Sequence, residues 1–256
     1  MTLVCDFSTP QDLSVIAQHC EGIIRYASDD LAKNITAVEF DAAMTLGLTV
    51  TIVCEQGNQP AMRGASGGLH DTVIANQQAN AVGYDEEAWI YYVAEDPNVL
   101  APSAWPTVVS YFQAVNANTV RPVGAYGGRQ LLDHLWSLKL ITRSWAVQTW
   151  GGASYADALQ QLVGTDTFGL SIDVDQVLQA DYGQHPRPEV IEYEEDSMFC
   201  IELADGKVVT MAIGAGSRAG QLLEFTRTPG DQTGASNVVI DVTDQIGTAV
   251  PYTVSA

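Results

Sequence analysis

Basic residues are scarce in this chain of 256 residues. It carries 11 Lys and Arg against 31 Asp and Glu, which gives a formal net charge of -20 at pH 7. Nucleic acids and anionic membrane surfaces are bound through clustered cations, which such a composition does not supply. The sequence therefore predicts no nucleic-acid partner and no membrane partner, and it favours neutral or cationic ligands.

Long apolar runs are also missing. No run approaches the roughly 20 residues that a membrane-spanning helix needs. The first residues, Met1 to Asp6, place no basic segment before an apolar one, which is the order found in secretory signals. We therefore expect no signal peptide.

Cysteine and histidine are few and widely spaced. The four cysteines are Cys5, Cys20, Cys54 and Cys200, and no two of them form a C-x-x-C pair. We predict buried reduced thiols in preference to a disulfide or a metal site. The four histidines show no metal-ligand spacing, so we expect no metal and no cofactor. The glycine-rich stretch 64–68 lacks the Lys-Ser/Thr ending of a phosphate-binding loop and is interpreted as a flexible loop.

Apolar strands alternate with helical segments over most of the chain. The longest buried strand is Trp89 to Ala94, and a fully apolar run of this kind is typical of a parallel sheet covered by helices. Eight such strands occur before residue 185. The sequence therefore predicts an α/β fold, a compact (β/α)8 TIM-like barrel over residues 1–185, with an open doubly wound sheet as the alternative.

The character of the chain changes after residue 185. Prolines and acidic residues over 186–196 indicate a linker. Residues 197–256 contain short apolar runs and an Asp205-Gly206 turn, which favours a hairpin and a small all-β module. A module of this size is marginally stable alone, so we expect it to pack on the barrel or on another chain.

Acidic residues follow several of the predicted strands. They are Asp6, Glu55, Glu95 with Asp96, and Asp173 or Asp175. The carboxyl ends of barrel strands meet at one mouth, where clustered carboxylates raise one another's pKa and separate into an acid and a base. Glycosidic bonds are cleaved by such a pair, and Tyr26, Tyr126 and Trp150 near the same ends would stack on sugar rings. The alternative is that these acids are ordinary solvated strand ends in an acidic chain.

Ordered short motifs add a family resemblance over residues 1 to about 183. They are Asp6-Phe7, Arg25-Tyr26, Lys33-Asn34-Ile35-Thr36, Glu55, Ile90-Tyr91-Tyr92 with Glu95, Gly124 to Gly128, Gln148-Thr149, Gln161 and Val174-Asp175. In these motifs the chain resembles the glycoside-hydrolase-like domain family known as domain of unknown function 1906, related to the family 25 muramidases of phage and bacterial cell-wall proteins. The resemblance implies Glu95, Asp6 and Asp175 as catalytic residues. It implies a substrate-binding set of Glu55, Tyr26, Tyr126, Gln148, Asp96 and Asp173.

One departure from that family bears on catalysis. The muramidases carry Asp-x-Glu after the fourth strand, whereas this chain reads Glu95-Asp96-Pro97 and lacks the second acid in frame. Hydrolysis needs a pair of acids. The sequence therefore favours a phage tail-associated protein whose barrel binds host cell-wall glycan without cleaving it. The alternative is an active peptidoglycan-cleaving hydrolase with Glu95 as general acid.

The expected partners and location follow from that interpretation. The glycan binds at the barrel, and other virion proteins or further copies of the chain bind the C-terminal module. The expected location is the phage tail, or the host cytoplasm before lysis.

Overall fold

The computed structural model describes residues 2–57, 59–94, 101–151, 157–162 and 167–186, together with three short strands further on. The chain divides into two compact units, Met1–Pro188 and Glu189–Ala256. In the second unit, strands β9 (Met198–Glu202), β10 (Val208–Ala212) and β11 (Thr226–Arg227) form an antiparallel sheet in the order β11-β10-β9. Most of the predicted linker and all-β module lies outside the described residues, so both stay predictions.

The first unit is built on a closed barrel of eight strands in sequence order. The strands are β1 Leu3–Asp6, β2 Gly22–Ala27, β3 Thr49–Cys54, β4 Ile90–Val93, β5 Val123–Gly127, β6 Arg143–Val147, β7 Leu159–Gln161 and β8 Asp173–Val177. The predicted α/β TIM-like barrel is thus confirmed.

The direction of the last strand differs from an all-parallel barrel. Strands β1 to β7 run parallel to their neighbours, but β8 is antiparallel to both β7 and β1. A parallel crossover needs a dozen or more residues, usually with a helix, and the connection from Gln161 to Asp173 is shorter than that. The reversal places the amino end of β8 beside the carboxyl end of β1.

In the described residues of the first unit, five α-helices cover the barrel. They are α1 Leu13–Ile16, α2 Ala37–Thr45, α3 Gly64–Val82, α4 Trp105–Asn118 and α5 Arg129–Ser137. Asp12 caps α1 and Thr36 caps α2, each accepting a hydrogen bond from a backbone N–H in the first turn. Within the described part of the chain, no helix combines the length and the apolar character needed to cross a membrane.

The glycine-rich stretch 64–68 is helical, so its interpretation as a flexible loop is wrong. It forms the first turns of α3. A Cβ on Gly68 would lie 2.3 Å from the backbone oxygen of Tyr111 on α4. The glycine therefore allows two helices to approach closely, a tertiary contact that the local sequence does not reveal.

The hydrophobic core consists of two layers. One fills the barrel and includes Val4, Ile24, Tyr91 and Trp145, and the other lies between the strands and the helices. The outer layer contains a disulfide between Cys5 and Cys20, whose Cα atoms are 6.6 Å apart. The prediction of reduced thiols is wrong for this pair, whereas Cys54 is free and buried. The paired cysteines are 15 positions apart in the sequence, and the fold brings them together.

The amino end of the barrel, which we call the floor, is closed by residues 181–186. His185 and Val50 exchange two backbone hydrogen bonds of 2.7 Å. The Tyr91 hydroxyl donates to the Tyr182 carbonyl at 2.6 Å. A cleft of about 560 Å³ lies at this end, lined in part by Glu21, Thr49 and Tyr182. Its hydroxyl groups bond to each other, since Thr49 Oγ1 and the Tyr182 hydroxyl are 2.5 Å apart.

Candidate functional site

Three carboxyl groups meet at the opposite end of the barrel, which we call the mouth. The register between β1 and β8 places Asp6 opposite Asp173 and Val4 opposite Asp175. Residues two apart on a strand face the same side, so Asp173 and Asp175 share the inner face with Asp6. Asp6 is 4% exposed and Asp175 is fully buried. The reversal of β8 thus creates a carboxyl cluster inside the barrel.

Gln161 on β7 links this cluster to the neighbouring strands. Its Nε2 donates to Asp6 Oδ2 at 3.1 Å and to Asp173 Oδ2 at 3.4 Å. Its Oε1 accepts from the Tyr126 hydroxyl at 2.6 Å, which fixes the orientation of the amide. The Tyr26 hydroxyl donates to Asp6 Oδ1 at 3.4 Å. Asp6 and Asp173 are therefore held by neutral donors from two strands, β2 and β7, and Tyr126 on β5 orients the Gln161 donor.

Asp175 is held from the other side by Trp145. The indole Nε1 donates to Asp175 Oδ1 at 2.6 Å. The second oxygen, Oδ2, is buried and has no donor in the described part of the chain. It forms a hydrogen bond with Asp6 when the Asp175 carboxyl carries a proton and donates it. The geometry therefore favours one proton shared between two carboxyl groups.

The environment moves both carboxyl groups away from their ordinary behaviour. Burial, followed by the charge of Asp173, raises the pKa of Asp6 to about 6, although hydrogen bonds from Gln161, Asp175 and Tyr26 oppose the rise. Burial and then the charge of Asp6 raise the pKa of Asp175 well above its usual range. Asp175 therefore keeps its proton to a higher pH than an ordinary aspartate does, and it lies beside Asp6 as a proton donor next to an anion.

A second group of charges lies next to the cluster. Lys33 Nζ is 3.4 Å from Glu55 Oε1 and 5.6 Å from the centre of the Tyr26 ring. Tyr26 thus touches Asp6 through its hydroxyl and Lys33 through its ring. Glu55 is joined to the carboxyl cluster through this chain of contacts.

Aromatic rings line the mouth beside the carboxyl groups. The Tyr126 ring packs edge-on against Trp145 at 4.4 Å between centroids, and Trp150 lies 6.3 Å from Tyr126. Trp150 is partly exposed, in the short 3₁₀ turn that begins at Gln148 after β6. Flat apolar faces next to hydrogen-bonding carboxyl groups suit a ligand that has both apolar and hydroxyl-bearing surfaces, as a sugar ring does.

The structure gathers most of the predicted site residues. Asp6, Asp173, Asp175, Tyr26 and Tyr126 form one connected group. Glu55 is connected to it through Lys33, and Gln148 is exposed in the turn after β6. Glu95 and Asp96 lie outside the described residues.

Two residues of the site were not predicted to belong to it, namely Trp145 and Gln161. Each lies on a predicted strand, at a position whose alternation faces the barrel interior. The alternation of side chains along these strands was therefore the signal that could have placed both residues inside the barrel. Among the residues that the structure describes, no group of three potential ligands has a geometry that would hold a metal ion.

Comparison with known proteins agrees with this architecture. A family model described as Rv2525c-like, glycoside hydrolase-like domain matches residues 13–178. The Tat-secreted protein Rv2525c of Mycobacterium tuberculosis, solved in complex with HEPES, is 23% identical, with a TM-score of 0.65 over 72% of this chain and 98% of that chain.

A more distant structure shares the same fold. The catalytic domain of endolysin ply40, from bacteriophage P40 of Listeria monocytogenes, is 12% identical, with a TM-score of 0.50 over 71% of this chain and 95% of that chain. At these identities the two structures show a common fold. No curated protein matches the sequence.

Proposed function

The chain belongs to the Rv2525c-like glycoside hydrolase-like domain family, and from that premise we propose that its barrel mouth binds a β-linked amino-sugar glycan of the bacterial cell wall. The observation that carries the proposal is the Asp6–Asp175 pair, held by Gln161 and Trp145 at the mouth. Ligand sites of parallel barrels lie at this end of the strands.

The chemistry of the mouth fits a polyhydroxylated ligand. Ionised Asp6 accepts hydrogen bonds, protonated Asp175 donates one, and the Gln161 amide does both. Trp150, which is partly exposed beside Tyr126, offers a ring face for the apolar side of a sugar, whereas the Tyr126 ring is buried against Trp145. Phosphate-bearing ligands fit poorly because Lys33, the cation joined to this cluster, is paired with Glu55.

The hydrogen bond between Asp6 and Asp175 favours binding or positioning over hydrolysis by this pair alone. A glycosidic bond lies between two carboxyl groups about 5–5.5 Å apart in retaining enzymes and about 6.5–9.5 Å apart in inverting ones. Carboxyl groups that share a proton are closer, roughly 2.5–3 Å between oxygens. Such a pair orients a substrate amide or a water molecule. Active hydrolysis, the second candidate function, would add Glu95 as the general acid.

Binding to soluble peptidoglycan fragments, measured by calorimetry, tests the proposal. We expect Gln161→Ala to weaken binding about tenfold or more, because Asp6 and Tyr126 lose their common partner. Asp41→Asn, on the exposed face of α2, serves as the matched control and should bind as the unaltered protein does. The absence of binding to any fragment would overturn the proposal.

A turbidity assay on purified cell walls separates the two candidate functions. Clearing that is lost in Glu95→Gln supports a hydrolase that uses this acid. Binding without clearing supports a glycan-binding barrel.

The proposed setting is a phage tail, in which the second unit contacts other virion proteins or further copies of the chain. This setting is independent of the chemistry at the mouth. Mass spectrometry of purified particles tests it, and particles that lack the chain would refute it.

A further inference from the structure

Within the described part of the chain, no cation balances the charge of the buried carboxyl pair. The described donors to Asp6 are Gln161, Tyr26 and the Asp175 carboxyl, and the donor to Asp175 is Trp145. All of them are neutral. Among the described residues, the leading charges that act on the two aspartates are those of each other and of Asp173, and all of these are carboxyl groups. In the part of the chain that the structure describes, the negative charge of the inner site is therefore stabilised by neutral hydrogen-bond donors.

The cations that lie near the mouth are already engaged. Lys33 pairs with Glu55. Arg25 lies on β2, is fully buried, and pairs with Glu39 at 2.7 Å. Its second contact is the backbone carbonyl of Phe7 and not the Asp6 carboxylate. Neither cation is available to balance Asp6.

One buried oxygen at the centre of this site, Asp175 Oδ2, is satisfied within the described ranges only by the proton shared with Asp6, so a ligand that donates a hydrogen bond would replace that proton. Asp175 Oδ2 is buried, is on a fully buried residue, and has no donor in the described part of the chain. A buried polar atom without a partner is costly unless a proton or a ligand satisfies it. A donor that also carries positive charge would satisfy this atom and balance Asp6 at the same time.

Cell-wall glycans that fit the proposed function differ in whether they carry a positively charged hydrogen-bond donor. An N-acetylated amino sugar is neutral, its de-N-acetylated form carries an ammonium group, and peptide stems add carboxylates. Negative charge at the site attracts the ammonium form and repels the stems. We infer that the mouth selects glycan strands that carry free amino groups over fully N-acetylated or peptide-bearing strands, an inference that rests on the proposed function.

Two oligosaccharides of equal length provide the test. One is a β-1,4-linked glucosamine oligomer and the other is its fully N-acetylated counterpart, each titrated into the full chain at about pH 6.5, just above the Asp6 pKa of about 6. We expect the free amine form to bind about tenfold tighter or more. The preference should shrink in concentrated salt, which screens partly exposed charges.

Variants separate a specific site from the general attraction of an acidic protein. Asp6→Asn and Asp41→Asn each remove one negative charge, the first at the mouth and the second on the exposed face of α2. We expect Asp6→Asn to abolish most of the preference and Asp41→Asn to keep it. Trp150→Ala should weaken both oligomers equally and leave their ratio unchanged, because ring stacking does not depend on the acetyl group.

The outcomes distinguish this inference from the function on which it rests. Equal binding of the two oligomers, or tighter binding of the N-acetylated one, overturns the inference and leaves the glycan-binding function in place. A preference that survives in Asp6→Asn as fully as in Asp41→Asn also overturns it, since the selectivity then arises away from the mouth. Failure of both oligomers and of peptidoglycan fragments to bind overturns the proposed function itself.

Discussion

The two ends of the barrel differ in how the hydrogen bonds of their buried polar groups are satisfied. At the floor, the Tyr91 hydroxyl reaches the Tyr182 carbonyl, and His185 and Val50 pair through their backbones. At the mouth, Asp175 has one oxygen without a donor among the described residues, and the pKa of Asp6 is raised to about 6. The floor is satisfied internally, whereas the mouth is satisfied only by a shared proton or by a ligand.

The cleft and the carboxyl groups with raised pKa values lie at opposite ends of the barrel. The cleft of about 560 Å³ lies at the floor, yet its hydroxyl groups are paired with each other. The mouth has groups whose protonation is perturbed and aromatic rings beside them. Perturbed titration together with unsatisfied groups indicates function better than volume does. We therefore assign stability to the floor and binding to the mouth.

The largest expected loss of stability comes from a substitution that disrupts the packing of the floor. Gly183 has a φ of 94°, and a Cβ there would lie 2.6 Å from the Trp89 Cβ. Gly183→Ala should therefore lower the free energy of unfolding by about 2–4 kcal/mol, measured by urea denaturation. Gly47→Ala is the control, because Gly47 also has a positive φ but no atom within 4 Å of its Cβ position, so about 1 kcal/mol is expected. Equal losses in the two variants would contradict a tightly packed floor.

Removing the negative charge of Asp6 at the mouth should stabilise the protein, which is the opposite of the effect expected for Gly183→Ala. A carboxyl whose pKa is raised in the folded state costs stability as pH rises from its ordinary value of 3.8 to about 6, because the unfolded chain ionises first. Asp6→Asn should therefore raise the free energy of unfolding by about 1–3 kcal/mol at pH 7, with little gain below about pH 4. Denaturation at both pH values measures this. A variant less stable than the parent at pH 7 would contradict the assignment.

Weakening the support of Asp175 should give a smaller loss. Trp145→Phe keeps most of the packing of the ring but removes the Nε1 donor to Asp175 Oδ1. A buried acceptor left without its donor costs about 1–2 kcal/mol, which urea denaturation at pH 7 would detect. Trp136→Phe is the matched control, since that ring is 41% exposed and a change within about 0.5 kcal/mol is expected. Indistinguishable values for the two variants would remove Trp145 from the site.

The barrel was predictable because buried strands leave a strong apolar signal in the sequence. The run Trp89 to Ala94 and the β-branched residues of β3 are recognisable as strands from their composition alone. The direction of β8 was not predictable in this way, because the alternation of Asp173, Val174 and Asp175 is the same whichever way the strand runs. The short connection that precedes β8 was the available clue.

The carboxyl groups of the candidate site could be predicted from the sequence, but the residues that hold them could not. Strand ends identified Asp6, Asp173 and Asp175, whereas the contacts of Gln161 and Trp145 join strands far apart in the chain. The same limit applies to the disulfide and to the contact of Gly68 with α4. These features depend on tertiary packing, for which spacing along the chain gives no rule.

The shared proton is tested most directly by a carbon-13 NMR titration of the aspartate carboxyl groups in the unaltered protein, Asp6→Asn and Asp175→Asn. We predict one aspartate that titrates near pH 6 and a second whose pKa also lies well above the usual range of aspartate, each identified by its loss in one variant. Complete ionisation of every aspartate by about pH 5 would contradict this prediction.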